Sequence, residues 1–326
     1  MRFSFLILMG FLLLPGSALA QTVVGFLVTE AGLGDQSYND MTMLGLTEAK
    51  EKLGIKLVYV VPDPGENDKG MERLLGMKPD LVVTNGVTML DTVKNVAPAH
   101  PEVKFLLNDI ALPGYGNVLS TTFAQQEASF LAGALAAWMT PGGRIGFVGG
   151  AEYPVIFAFR DGFLAGAAHA DPTVKVFIDY VRPGLDHEGF TDPAKAHALA
   201  DAMYNQGAAI VFGVAGRSGL GVIRAAVEHD VFAIGVDADQ DHLAKGHVLT
   251  SVMKRLDTVT YKTVERFLQG GFAPGVVNHS LADGGVGLSP MRFTADRVPS
   301  GIKASLRALE DKIRTGAIVV PDALHK

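Results

Sequence analysis

The sequence of 326 residues contains no cysteine. Disulfide bonds are therefore excluded, and the hydrophobic core must stabilise the fold without covalent cross-links. Bacterial lipoproteins are attached to the membrane through a cysteine that follows their signal peptide. We therefore expect a soluble mature protein with no lipid anchor.

Positive charge is also scarce. Lysine and arginine number 28 against 34 acidic residues, which gives a net charge of −6, and no segment carries a dense stripe of basic side chains. Proteins that bind the phosphate backbone of nucleic acids usually display such a stripe. We therefore expect no nucleic acid polymer as a partner.

The signatures of common catalytic centres are missing as well. The sequence has no Walker A motif, no G-x-S-x-G and no H-E-x-x-H. His187 and Glu188 begin the last of these motifs, but Thr191 occupies the position of its second histidine. Because the nine histidines also lack the spacing of metal ligands, we expect neither an enzyme nor a bound metal ion or cofactor.

The composition is that of a globular protein with a sizeable core. Hydrophobic residues make up 48% of the chain and charged residues 19%, which disfavours any long disordered stretch. A chain of this length exceeds one ordinary hydrophobic core. Two domains are therefore expected.

The first twenty residues differ in kind from the rest. Arg2 is their only charged residue, an apolar run extends from Phe5 to Leu14, and A-L-A at 18–20 matches a cleavage site. These features predict a secretory signal peptide that is cut before Gln21. The apolar run is too short to span a bilayer as a mature helix, so we expect export to a bacterial periplasm.

Apolar, β-rich runs alternate with helix-like segments along the mature chain. The predicted strands are 23–28, 56–61, 81–83, 104–107 and 117–120, followed by 144–148, 174–181, 209–214, 232–236 and 249–252. Continuous apolar strands separated by amphipathic helices are typical of parallel sheets covered on both faces. Because the pattern occurs twice, it predicts two doubly wound α/β lobes, joined by several hinge crossings.

The loop that begins at Glu30 reads E-A-G-L-G-D-Q-S-Y-N. It follows the first predicted strand, at the sheet edge where open α/β folds bind ligands. Tyr38 offers a ring face for stacking, while Glu30, Asp35 and Asn39 offer hydrogen bonds. The alternative is a flexible connection in which Asp35 or Ser37 caps the next helix.

A second glycine-rich segment, residues 212–221, reads F-G-V-A-G-R-S-G-L-G. Glycines that open a helix after a strand favour a ligand site lined by backbone. The order is G-x-x-G-x-G, however, rather than the G-x-G-x-x-G of a dinucleotide-binding turn. Backbone approach to a ligand and an ordinary glycine-rich turn both remain open.

Two acids follow a later strand, in the segment I-G-V-D-A-D-Q at 234–240. Asp237 and Asp239 could hold the vicinal hydroxyls of a sugar through charge-assisted hydrogen bonds. A metal site is disfavoured because the neighbouring residues lack the clustered oxygens of a calcium loop. The alternative is a solvated turn that caps a helix.

Taken together, six collinear motifs resemble the basic membrane protein (BMP) family, the substrate-binding proteins of ABC importers that are similar to purine nucleoside receptors. The motifs are G-D-Q-S-Y-N, E-A-S-F-L-A-G-A-L-A, G-F-T-D-P-A-K, V-A-G-R-S-G-L-G, I-G-V-D-A-D-Q and S-V-M-K-R. The match runs from about Val23 to Leu268. It implies a type I periplasmic-binding-protein fold, with two doubly wound parallel-sheet lobes, a three-crossover hinge and a ligand cleft between the lobes.

The resemblance also implies how the chain divides. Residues 1–20 are the signal peptide. The N-terminal lobe comprises 21–121 plus about 254–283, and the C-terminal lobe comprises 122–253 plus about 284–326.

Residues that match the family motifs take on implied roles. Tyr38 matches a phenylalanine that stacks on one face of a purine, and Phe190 in G-F-T-D-P-A-K matches the aromatic residue on the other face. Each stacking contact of this kind contributes about 1 to 3 kcal/mol. Asn39 and Asp109 match groups that bond the edges of the base.

Three further positions, Gly216, Asp237 and Lys254, match the surroundings of the ribose. Two departures from the family pattern concern ligand choice. Tyr38 adds a hydroxyl that needs a partner when buried, and Glu30 replaces an aspartate, which moves its carboxylate by one methylene. Either change could alter which base or sugar is admitted.

The resemblance implies a monomeric periplasmic binding protein. It captures a purine nucleoside and presents it to an ABC permease in the inner membrane and its ATPase, with no cofactor. One alternative is a sensory receptor for another small ligand, such as a sugar or an amino acid. A nucleoside-processing enzyme would require a metal or base constellation that the sequence does not show.

Overall fold

A computed structural model describes residues 21–322, so the predicted signal peptide lies outside the described residues. Two six-stranded sheets form the framework of this part of the chain. The first sheet contains β1 (Val23–Leu27), β2 (Lys56–Val60), β3 (Leu81–Asn85), β4 (Lys104–Asn108), β5 (Val118–Phe123) and β11 (Gly275–His279). The second contains β6 (Arg144–Gly149), β7 (Lys175–Tyr180), β8 (Ala208–Val214), β9 (Phe232–Asp237), β10 (Val248–Lys254) and β12 (Val286–Leu288).

Helices fill the connections between the strands. The helices that pack on the first sheet are α1 (Tyr38–Leu53), α2 (Asn67–Leu75), α3 (Leu90–Val96) and α8 (Leu256–Leu268). The others are α4 (Gln125–Met139), α5 (Pro154–Ala170), α6 (Pro193–Asn205), α7 (Gly219–Glu228) and α9 (Ser300–Arg314). Among residues 21–322, no helix has the length and apolar character needed to cross a membrane.

The two sheets repeat one strand order. The orders are β11-β5-β4-β3-β1-β2 and β12-β10-β9-β8-β6-β7. Neighbouring strands are parallel, apart from β12, which pairs antiparallel with β10. The strand order reverses between β1 and β3 in the first sheet and between β6 and β8 in the second. Such switch points place a crevice at the carboxyl ends of the strands. The predicted fold class is confirmed.

The chain passes between the sheets after β5, after β10 and between β11 and β12. Hydrogen bonds tie these crossings to one another: the Ala124 N–H donates to the His279 carbonyl at 2.7 Å, and the Arg255 N–H donates to the Gly285 carbonyl at 2.9 Å. The lobe ranges implied by the resemblance stay a proposal. The first sheet with its helices is called the first lobe, and the second sheet with its helices, including Lys254 at the end of β10, is called the second lobe.

Glycines bring α4 and α5 of the second lobe into backbone contact. A Cβ atom on Gly133 would lie 2.0 Å from the Phe163 carbonyl oxygen, and one on Gly166 would lie 1.9 Å from the Phe130 carbonyl oxygen. Any side chain at these positions would force the helices apart. This close packing holds α5 against α4, and the first residues of α5 line the cleft described below.

The structure differs from the predicted elements in three places. The first helix begins at Tyr38, so Tyr38 and Asn39 lie in its first turn and not in the preceding loop. The fifth strand extends to Phe123. Strands β11 and β12 were not predicted, because β11 is largely exposed at a sheet edge and β12 spans only three residues. Neither carries the apolar run on which the prediction depended.

Candidate functional site

A cleft of about 1330 Å³ lies between the two lobes. Its walls come from residues at or just after the carboxyl ends of strands, β1 to β5 on one side and β6 to β10 on the other. All nine residues predicted to bind ligand line it: Glu30, Asp35, Tyr38, Asn39, Asp109, Phe190, Gly216, Asp237 and Lys254. The strand order therefore brings together residues that are up to 224 positions apart (254 − 30).

An ion pair that joins the lobes forms the floor of the cleft. Lys254, the last residue of β10, donates from Nζ to both carboxylate oxygens of Asp109, at 2.9 and 2.8 Å. Their side chains are only 2% and 7% exposed. Tyr38 donates its hydroxyl to Asp109 Oδ2 at 3.0 Å, so the hydroxyl for which the sequence required a partner has one.

Aromatic rings surround the ammonium group of this pair. Lys254 Nζ lies 5.0 Å from the ring centroid of Phe159, 5.6 Å from that of Tyr38 and 5.7 Å from that of Phe123. These distances allow cation–π attraction in addition to the ion pair. Burial and the nearby Asp109 carboxylate raise the pKa of the Tyr38 hydroxyl well above its usual value, so Tyr38 stays a hydrogen-bond donor.

A second carboxylate faces the cleft from the opposite lobe. Asp237 ends β9 and accepts a hydrogen bond from the Ser37 hydroxyl at 2.7 Å, across the lobe boundary. Burial raises the pKa of Asp237 to about 6, while Lys254 and the Ser37 hydroxyl act in the opposite direction. Both Asp237 and Asp109 adopt left-handed backbone conformations, with φ of 62° and 68°.

Asp239, the other acid of that segment, has a different role. It is paired with Arg292, as is Asp241, whose Oδ1 lies 3.2 Å from the same guanidinium. Asp239 does not contribute to the cleft wall among the described residues. Of the two acids that the sequence suggested as a pair of sugar ligands, only Asp237 therefore lines the cleft.

Asp35 shapes the loop that precedes α1. Its carboxylate accepts backbone N–H groups from Ser37 at 3.0 Å, Asn39 at 2.8 Å and Asp40 at 3.1 Å. Burial raises the pKa of Asp35 above its usual value, although these three hydrogen bonds act in the opposite direction. This is the helix-capping alternative that the sequence left open, since both oxygens serve the start of the helix.

The side-chain amide of Asn39 also forms its hydrogen bonds within the first lobe. Its Nδ2 donates to Thr29 Oγ1 at 2.8 Å and to the Gly32 carbonyl at 3.0 Å, and its Oδ1 accepts from the Thr29 N–H at 3.3 Å. The residue is fully buried. Asn39 thus lines the cleft while its amide anchors the loop to the end of β1.

Glu30 and Gly216 lie on opposite walls. Glu30 accepts the Gly65 N–H at 3.1 Å through Oε1, which joins two loops of the first lobe. Gly216 has a φ of 52°, and a Cβ there would lie 3.6 Å from Phe190 Cβ. A glycine permits this backbone conformation and leaves space beside the Phe190 ring.

A group of rings forms the rim of the cleft in the second lobe. Phe190 ends the short 3₁₀ segment His187–Phe190, and its ring centroid lies 6.1 Å from that of Tyr153. Tyr153 stacks on His187 at 5.3 Å with an interplanar angle of 12°, and its hydroxyl lies 2.7 Å from His187 Nδ1. Gly150 makes room for Phe190, because a Cβ there would lie 2.5 Å from the ring.

Sequence reasoning missed four aromatic residues of the cleft: Phe123, Tyr153, Phe159 and His187. Two of them could have been found. Tyr153 follows β6, and Phe123 ends β5, at the sheet edge where ligands bind in this class of fold. Phe159 lies inside a helix, and no sequence signal distinguishes it from a core residue.

Within residues 21–322, no group of three or more histidine or acidic side chains is arranged to hold a metal ion. The lining does carry more acids than bases: Arg182 and Lys254 against Glu30, Asp35, Asp109, Asp186, Glu188, Asp192 and Asp237.

Known proteins resemble this chain over almost its whole length. The family model described as "ABC transporter substrate-binding protein PnrA-like" (Bmp) matches residues 22–323. The "ABC transporter nucleoside-binding protein BmpA" of Lactococcus lactis is 31% identical, with 90% of this chain and 88% of that protein covered. "Basic membrane protein A" of Borreliella afzelii is 30% identical, with 90% of each chain covered. The crystal structure of an ABC transporter solute-binding protein from Aeropyrum pernix superposes with a TM-score of 0.79 at 28% identity, covering 92% of this chain and 94% of that one.

Proposed function

The chain belongs to the Bmp family of PnrA-like ABC transporter substrate-binding proteins, and we propose that it binds a purine nucleoside in the interlobe cleft. Members of this family bind a solute and do not transform it, so the protein is not an enzyme. The sequence resemblance to the family is thereby confirmed. The choice of ligand and its contacts are the proposal.

One observation carries the proposal: aromatic and polar groups of the right kinds converge on one cleft from both lobes. Tyr38 comes from the first lobe and Phe190 from the second. Stacking of a flat base on such rings contributes about 1 to 3 kcal/mol per contact. Asp237 and the Asp109–Lys254 pair supply acceptors and a donor for the edge of the base and for ribose hydroxyls.

The charge of the lining supports an uncharged ligand. Carboxylates outnumber cationic groups around the cleft, and Arg182 is itself paired with Glu188 at 3.3 Å and Asp192 at 3.6 Å. A phosphate group would face repulsion from these acids, because Arg182 and Lys254, the cationic side chains of the described lining, are both already paired with carboxylates. A nucleoside therefore suits the cleft better than its phosphorylated form.

Localisation and partners complete the proposal. The protein is exported to the periplasm through the signal peptide predicted at 1–20, and it acts there as a monomer without a lipid anchor. It delivers its ligand to an inner-membrane permease with an associated ATPase, as expected for a substrate-binding protein of an ABC importer. Mass spectrometry of the exported protein checks two of these points, since it should begin at Gln21 and carry no lipid.

A thermal-shift panel tests the ligand. Protein from Gln21 onward is unfolded and refolded to remove bound solute, then mixed with guanosine, inosine, adenosine, cytidine, uridine, free purine bases, guanosine monophosphate or ribose. A ligand at about 100 times its dissociation constant stabilises the native state by about 2.7 kcal/mol. We expect shifts with purine nucleosides and little with the monophosphate. A response to ribose alone, or to none of these compounds in correctly refolded protein, would contradict the proposal.

A further inference from the structure

The loop ahead of α1 has its N–H groups fixed by two acids. Asp40 accepts from the Gly34 N–H at 2.8 Å and from the Gln36 N–H at 2.9 Å, and Asp35 holds the following residues as described above. Gln36 adopts a left-handed conformation with φ of 53°. With its donors held by acids of its own lobe, the loop offers two carbonyl oxygens, those of Leu33 and Gln36, to the second lobe.

Two side chains of the second lobe bind these carbonyls. Arg217 Nη2 donates to the Leu33 oxygen at 2.8 Å, and Gln240 Nε2 donates to the Gln36 oxygen at 2.9 Å. Both donors belong to motifs that stood out in the sequence, V-A-G-R-S-G-L-G and I-G-V-D-A-D-Q. We call these two interlobe hydrogen bonds the latch.

The latch differs from the other polar contacts between the lobes. The Ser37–Asp237 and Asp109–Lys254 contacts include side chains that line the cleft, so a bound solute can compete with them or share them. Arg217 and Gln240 do not belong to the cleft wall among the described residues. A solute in the cleft therefore leaves the latch in place.

Arg217 has little to hold it in its own lobe. Its Nε is buried without a partner among the described residues. The hydrogen bond that its side chain does make goes to the Leu33 carbonyl of the other lobe. Gln240 has a double role, because its Oε1 also accepts the Val236 N–H of its own lobe at 3.1 Å. Arg217 is therefore the cleaner residue for an experiment.

We propose that Arg217 and Gln240 are positioning residues that set ligand affinity without touching the ligand, by stabilising the closed arrangement of the lobes. For a ligand that binds only the closed form, the apparent affinity is the intrinsic affinity multiplied by the fraction of protein that is closed. Hydrogen bonds that join the two lobes stabilise the closed form and so raise that fraction before any ligand enters. The inference rests on the proposed binding function but concerns the protein's own conformational equilibrium.

The test measures that equilibrium directly in ligand-free protein. Because the chain has no cysteine, Glu72→Cys on α2 and Lys195→Cys on α6 place one spin label on an exposed site of each lobe. Pulsed electron paramagnetic resonance then gives the distribution of distances between the labels. We expect Arg217→Ala to deplete the short-distance population, and Arg217→Lys, which keeps a charged donor, to restore part of it.

A matched control is Arg224→Ala on α7, which removes an exposed arginine that pairs with Glu228 inside the same lobe. It should leave the distance distribution unchanged. With guanosine or inosine as probe, Arg217→Ala should weaken binding about tenfold, the size expected for loss of one charge-assisted hydrogen bond, while the thermal stability of the ligand-free protein changes little.

Two results would overturn the inference: ligand-free wild-type protein found wholly in the long-distance state, or a distribution that Arg217→Ala does not alter. If neither nucleoside binds, the proposed ligand fails, while the distance measurement still decides the role of the latch.

Discussion

At the floor of the cleft, Asp109 and Lys254 form a buried ion pair to which Tyr38 is hydrogen-bonded, whereas at the rim Tyr153, His187 and Phe190 contact one another through their rings, with an uncharged hydroxyl–imidazole contact between Tyr153 and His187. The charged side chains of the floor are almost fully buried, while Phe190 is half-buried and His187 exposed. The floor joins both lobes, and the rim belongs to one. We infer that the floor determines whether the lobes hold together and that the rim determines how tightly a flat ligand is held.

The largest expected effect comes from breaking the floor. Lys254→Met leaves the Asp109 carboxylate buried without its cation, and removing one partner of a buried ion pair typically costs about 3 to 5 kcal/mol. Urea denaturation should show a loss of that order, and nucleoside binding should be severely reduced. Lys262→Met, on an exposed face of α8, is the matched control. Equal stability of the two variants would show that Asp109 does not depend on Lys254.

The next effect comes from the rim. Phe190→Ala should weaken binding of a purine nucleoside at least about tenfold by removing one stacking contact, without a comparable loss of fold stability. Isothermal titration calorimetry measures the affinity, and circular dichroism checks the fold. Phe293→Ala, which removes an exposed ring outside the cleft, should bind like wild type. Wild-type affinity in a folded Phe190→Ala protein would remove Phe190 from the site.

A smaller effect should appear as a dependence on pH. The pKa of Asp237 is about 6 in the folded protein, above its ordinary value of 3.8, so folding favours its protonated form. This contribution to stability is fully present below about pH 4 and is lost as the pH rises through 6. Between pH 7.5 and pH 5, wild type should gain about 1 kcal/mol of unfolding free energy relative to Asp237→Asn. Parallel pH profiles of the two proteins would contradict the raised pKa.

The smallest effect is expected from Tyr38→Phe. The substitution removes the hydroxyl that donates to Asp109 but keeps the ring and both Lys254 bonds. Loss of one such bond should cost about 1 kcal/mol, and the stacking surface is unchanged. If chemical denaturation showed a loss as large as that of Lys254→Met, the floor would depend on the hydroxyl as much as on the cation.

Most of the fold could be predicted from the sequence because its signal is periodic. Runs such as Leu81–Asn85 are fully buried, and their apolar residues identify central parallel strands without any tertiary information. The edges carried no such signal. Strand β11 exposes Val276 and Val277 by more than two fifths, and its place beside β5 depends on a crossover that local patterning does not encode.

The site was only partly predictable, for a physical reason. Strand ends and family motifs gave the positions that face the cleft, but not the partners of each polar atom. Asp35 lies in the loop after β1 and Asp237 ends β9, yet the first accepts hydrogen bonds from backbone N–H groups at the start of its own helix and the second accepts one from a hydroxyl of the other lobe. A carboxylate can bind any nearby donor, so its role is decided by tertiary geometry.

Asp109 and Asp237 have a wider consequence, because they stand at matching points of the repeated strand order. One directly follows β4 and the other ends β9, the fourth strand of each set, and both have left-handed backbones. The cleft thus resembles the interface of a two-fold symmetric homodimer contained in a single chain. A true homodimer must carry every substitution on both sides of its axis. Here Asp109 is bound to Lys254, whereas Asp237 accepts a hydrogen bond from Ser37. An asymmetric solute can therefore contact a different surface at each of these two equivalent positions.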